Sequence, residues 1–158
     1  MTKEKTTFVY VTFIRATPEK IFEAITRPEI AARYWGHENV SDWKVGSKWE
    51  HVRDNDERKV NIAGNVLEVD APNRLVISWS DPSEYDLPEK HSRVTFDLVP
   101  YEDMVKLTVT HDELETGSGM AIGVTRGWPL VLSSLKSYLE TDEPMDVFAQ
   151  PCATESAA

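Results

Sequence analysis

The sequence predicts an α+β domain in which a curved, six-stranded antiparallel sheet wraps around a long C-terminal helix, with two short helices after the first strand. Three observations point there. Thr7 to Arg15 is dense in β-branched and aromatic residues, as strands are. Five stretches between Lys44 and Asp112 alternate apolar and polar residues with period two. From Val124 to Leu139 the apolar residues recur instead at helical spacing.

The elements follow in order. Thr17 precedes Pro18 and Glu19, so a hydroxyl can accept from a free helical N–H, proline fits the first helical position and the acid lies near the positive helix end. Ile21, Phe22 and Ile25 give that helix its apolar face. Arg27-Pro28-Glu29 breaks it before a second short helix, Ile30 to Tyr34. Strands are expected at Lys44 to Arg53, Lys59 to Asp70, Arg74 to Ser80, Ser92 to Pro100 and Met104 to Asp112. Their connectors at Asp54–Glu57, Asp70–Asn73 and Pro100–Asp103 are short and polar. Consecutive strands should therefore be hairpin neighbours in a meander to which the first strand is added. Asp81 to Lys90, longer and acidic with two prolines, reads as a mobile loop placed to guard a pocket entrance.

Alternation assigns the faces. Leu75, Ile77, Trp79, Val94, Phe96, Leu98, Val105, Leu107 and Val109 should face a core, with Arg93, Thr95, Asp97, Lys106, Thr108 and Thr110 toward water. Their cover is the last helix, which presents Val124, Trp128, Val131, Leu132, Leu135, Tyr138 and Leu139. Pro129 lies inside it, removes one backbone hydrogen bond and crowds the preceding turn, so a kink is expected near Thr125 to Pro129.

A length of 158 residues suits one domain, expected over residues 1–143, with a disordered tail from Pro144 to Ala158 that contains the lone Cys152. No apolar run approaches the ~20 residues of a membrane span, and the first residues lack a secretory signal, so a soluble cytoplasmic protein is expected. A formal net charge of −10 argues against nucleic acid and anionic membranes as partners.

A curved sheet cannot touch a helix along its whole length, and the gap is a natural small-molecule site. Trp35, Trp79, Phe96, Leu107, His111, Val124, Trp128, Leu132 and Leu135 are the candidate lining residues. Trp79 and Trp128 serve equally as core packing. His111 reads either as an orienting polar group or as a satisfied core histidine. Glu68 is in phase with Ile62, Gly64 and Val66 and could face inward, but Leu67 and Val69 compete for that face, and a bulge near Gly64 would switch the register. His37, His51, His91 and His111 are scattered without metal-ligand spacing. Neither a Gly-x-Ser-x-Gly elbow nor a phosphate-loop pattern occurs, so no metal, cofactor or catalytic set is expected. The leading reading is a non-enzymatic binder of a small apolar or aromatic molecule. The alternatives are a cyclase- or hydrolase-type enzyme using His111 or Glu68, and a protein-interaction module with an acidic surface.

Ala16 to Pro28, Asp42 to Trp49, Gly64 to Val69, Pro72 to Val76 and Gly127-Trp128 together resemble, in order and spacing from about Thr7 to Leu139, the homologues of the activator of the heat-shock-protein-90 ATPase. That family lies in the START-like superfamily. The resemblance implies the helix-grip fold and a possible chaperone partner. Because the chain starts almost at its first strand, only the C-terminal type of domain found in the eukaryotic activators is expected.

Overall fold

The computed structural model describes residues 4–146. Strand β1 (Lys5–Ile14) leads into helices α1 (Pro18–Thr26) and α2 (Pro28–Trp35). Six strands follow: β2 (His37–Val40), β3 (Lys48–Arg53), β4 (Val60–Asp70), β5 (Arg74–Trp79), β6 (Ser92–Tyr101) and β7 (Met104–Glu115). Helix α3 (Gly119–Thr141) closes the fold. The sheet order is β1-β7-β6-β5-β4-β3-β2, and every neighbouring pair is antiparallel. It is thus the expected meander with the first strand set against the last.

The sheet has seven strands, not six. The additional strand, β2, is the four-residue His-Glu-Asn-Val, too short and polar to register as a period-two pattern. It starts directly after Gly36, whose φ of 69° ends α2 in the left-handed region and turns the chain into the sheet. The strand expected from Lys44 begins only at Lys48, because a turn closed by Ser47 N donating to Lys44 O at 2.9 Å, with Gly46 at φ 94°, lies ahead of it.

α1 starts as its sequence dictates, with the Thr17 hydroxyl accepting from Lys20 N at 3.2 Å ahead of Pro18. The residues assigned inward on β5, β6 and β7 are all buried, and with Ile14, Val66 and Leu114 they meet Val124, Trp128, Val131, Leu132 and Leu135 of α3. α3 runs through Pro129 without interruption.

Two features depart from expectation, one on β4 and one between β5 and β6. The β4 register shifts twice, at Asn61 opposite His51 and Val52 and between Val66 and Glu68, and neither shift is at Gly64; the second leaves Leu67 and Glu68 outward, with Glu68 pairing with Arg74 at 3.0 Å on the solvent side. The Asp81–Lys90 segment is tied down by two 3₁₀ turns. Tyr85 donates to Asn65 Oδ1 at 2.6 Å, and the His91 ring lies 2.9 Å from both Tyr85 O and Ser78 Oγ. At the other end of the chain, Met145 and Ser134 exchange two hydrogen bonds, which holds residues 144–146 against α3. Most of the expected tail, including Cys152, lies outside the described residues.

Candidate functional site

The sheet and α3 separate near β3 and β4, leaving a cleft of about 260 Å³ lined by Trp35, His37, His51, Asn61, Ile62, Trp79, Met120, Val124, Trp128, Val131 and three glycines of α3. Local sequence explains the opening. Gly119, Gly123 and Gly127 stand four residues apart, so they share one face of α3. A Cβ added at any of them would meet nothing within 4 Å. A helix-interior glycine costs about 1 kcal/mol relative to alanine, so the Gly123 and Gly127 pair leaves open a volume that side chains would occupy.

Opposite lies an aromatic and imidazole wall. On β2, period-two alternation turns His37 and Asn39 inward; on β3 it does the same for Trp49 and His51. Asn39 is directly opposite His51 in the β2–β3 ladder, and His37 is its diagonal neighbour. The two imidazoles stack with centroids 4.1 Å apart and planes 5° apart. Trp35 meets the His51 ring edge-on at 4.7 Å, with Trp49 at 6.0 Å and Trp79 at 5.9 Å. Burial, reinforced by neighbouring His37, holds His51 well below the ordinary histidine range. His37 is also lowered, mainly by burial, although its hydrogen bonds with Trp35 O and Asn61 oppose the shift. Among the described residues no Lys, Arg, Asp or Glu lines the cleft.

Four of the nine expected lining residues, Trp35, Trp79, Val124 and Trp128, do border the cleft. Phe96, Leu107, His111, Leu132 and Leu135 do not. They lie in the packed core beneath it, each at most 2% exposed, because α3 and β6–β7 are in full contact there. The Asp81–Lys90 segment contributes no lining residue either, being anchored to β4 and β5 instead.

His111 is a satisfied core histidine. Trp128 Nε1 donates to its Nδ1 at 3.0 Å, so the proton sits on Nε2, which donates to Ser92 Oγ at 2.8 Å; the Ser92 hydroxyl in turn donates to Trp79 O at 3.2 Å. Protonating Nδ1 would set two N–H groups against each other. Burial, the leading cause, brings the pKa down to about 3. Below the unfolded-state value of about 6.5, the unfolded chain takes up a proton that the native ring refuses, so stability falls as pH drops from there toward about 3. We expect urea unfolding between pH 6 and pH 4.5 to show a pH slope about 1.4 kcal/mol per unit shallower for His111→Gln than for the parent. Parallel slopes would refute the neutral core histidine.

His37, His51, Asn61 and the glycine stripe were not singled out as site residues from the sequence. The glycine spacing was legible there; the imidazole stack was not, since it depends on β2.

Residues 15–140 match the family described as activator of Hsp90 ATPase homolog 1-like protein. No curated protein matches the chain. Among solved structures, a protein of Cytophaga hutchinsonii is similar at 28% identity and TM-score 0.69, covering 90% of this chain and 98% of that one. The Aha1 dimer from Colwellia psychrerythraea is similar at 20% identity and TM-score 0.70, covering 86% and 97%. An HSP90 activator from Plasmodium falciparum is similar at 22% identity and TM-score 0.68, covering 85% and 96%. These likenesses match the sheet and long C-terminal helix described above, the helix-grip, START-like fold. With most of its length inside the match, the chain belongs to the family of homologues of the Hsp90 ATPase activator.

Proposed function

We propose that this protein binds a small, uncharged, apolar or aromatic molecule in the cleft between α3 and the β2–β4 side of the sheet, without transforming it. START-like domains of this family commonly bind hydrophobic ligands or act as Hsp90 activators. The observation that carries the binding reading is the glycine stripe of α3, flanked by Trp128 of the same helix, facing Trp35 and Trp79. Its size supports a ligand of about two fused rings, since a cavity of about 150 Å³ already accepts benzene. Proton-transfer catalysis is disfavoured, because a base must hold the proton it takes and burial keeps His51 and His111 from doing so. Glu68, the other candidate, is on the solvent side.

A cleft-filling variant tests this reading without endangering the fold. Gly127→Leu adds a good helix former where a Cβ meets open space. In the parent protein, 2-methoxynaphthalene should perturb the indole N–H resonances of Trp35, Trp79 and Trp128 saturably. In folded Gly127→Leu that response should fall at least tenfold in affinity. Unchanged affinity would sink the reading. A chaperone-binding role is the second reading, favoured by the HSP90 activator among the similar structures. It predicts saturable capture of purified Hsp90 that Gly127→Leu leaves intact.

A further inference from the structure

The hydrogen bonds around His51 specify more about the ligand. The Asn39 amide nitrogen donates to Ile25 O at 2.8 Å, which turns its oxygen toward His51; Oδ1 lies 2.6 Å from His51 Nδ1. Nδ1 therefore carries the ring proton, and Nε2 is left with a bare lone pair. Among the described residues Nε2 has no hydrogen-bond partner. It is nevertheless not sealed off, because no buried side-chain nitrogen or oxygen among them lacks a partner. His51 itself is 4% exposed and lines the cleft, so the lone pair borders the cleft space. The arrangement is a preset acceptor: Asn39, held by the α1 carbonyl, fixes the tautomer, and stacked His37 together with Trp35 fixes the ring plane.

From this geometry we infer that the cleft selects neutral aromatic molecules bearing one hydrogen-bond donor, a phenolic hydroxyl or ring N–H, which is delivered to His51 Nε2 while the ring system lies among Trp35, Trp79 and Trp128. The inference rests on the binding reading above and narrows its ligand class. A donor satisfies an acceptor that otherwise loses a partner when an apolar ligand excludes water. A carboxylate or phosphate brings only acceptors and a charge. It would meet the Nε2 lone pair in a lining that, among the described residues, holds no cationic side chain. Fatty acids and phosphorylated compounds are thereby excluded, and an unsubstituted hydrocarbon leaves Nε2 unpaired.

Calorimetric titration with 2-naphthol, 2-methoxynaphthalene and 2-naphthoate tests this, since the first two share a shape and differ in the donor. The parent protein should bind 2-naphthol about tenfold more tightly than 2-methoxynaphthalene, with 2-naphthoate the weakest. In His51→Phe, which keeps a flat ring, the naphthol preference should shrink to about twofold or less. Should that variant fail to fold, the parent alone decides. The ¹⁵N resonance of His51 Nε2 should move upfield with 2-naphthol and stay in place with 2-methoxynaphthalene. Equal affinity for the two neutral probes, or an Nε2 resonance indifferent to both, overturns the donor selectivity and leaves the binding reading standing. Binding of neither probe overturns both.

Discussion

Gly64→Ala is expected to destabilise the protein by about 4 kcal/mol or more, at the far end of what single substitutions do. Gly64 lies on β4 opposite Trp49 of β3, with the Ala63–Ser80 bridge joining β4 to the end of β5 beside it. A methyl group there would overlap the carbonyl oxygen of Ser78, come within 2.6 Å of its carbonyl carbon and lie 2.7 Å from Trp49 Nε1. The obstacle is backbone in a paired strand, so no rotamer change relieves it. Ser78 O is also the acceptor for Trp49 Nε1 at 2.8 Å, and Trp49 is 1% exposed, so shifting either strand strands a buried donor. Urea unfolding of parent and variant measures the loss. A difference under about 1 kcal/mol would mean that the strands separate there far more easily than their packing indicates.

Trp128→Ala should cost about 3–5 kcal/mol. The indole is 3% exposed and sits among Trp35 and Trp79, both at 5.6 Å, and Phe96, edge-on at 5.9 Å. It fills the junction between core and cleft and gives His111 Nδ1 its donor. Trp128→Phe separates the two roles. It keeps most of the apolar volume but leaves the His111 lone pair without its donor, a penalty of about 1–3 kcal/mol. A second comparison, Trp128→Phe in a His111→Leu background, should show a smaller loss because no acceptor is stranded. If the losses are equal in the two backgrounds, the hydrogen bond adds nothing to the packing.

The face assignments on β6 and β7 were legible because those strands alternate through most of their length, and on β5 the large apolar residues Leu75, Ile77 and Trp79 share the face in the core although Val76 and Ser78 are buried as well. The α1 start was legible because Thr17, Pro18 and Glu19 interact with their own helix end and with nothing distant. β2 was not, since a four-residue polar strand is a strand only by virtue of its pairing with β3. The depth of the candidate site was misjudged for a related reason. Phe96, Leu107, Leu132 and Leu135 carry the same periodic signal as the residues that line the cleft, and periodicity reports the face of an element without telling how closely the opposite layer approaches.

The sequence by itself determined the order of every element except β2, the inward residues of the meander and the amphipathic final helix, which rest on short-range chemistry and regular spacing, and its motifs carried the family resemblance. Tertiary structure alone decided the β4 bulge at Leu67, the stacking of His37 on His51, and the Asn39 contact at His51 Nδ1. Each of those depends on register between segments that meet only on folding, and a one-residue slip in a strand moves a side chain to the opposite face.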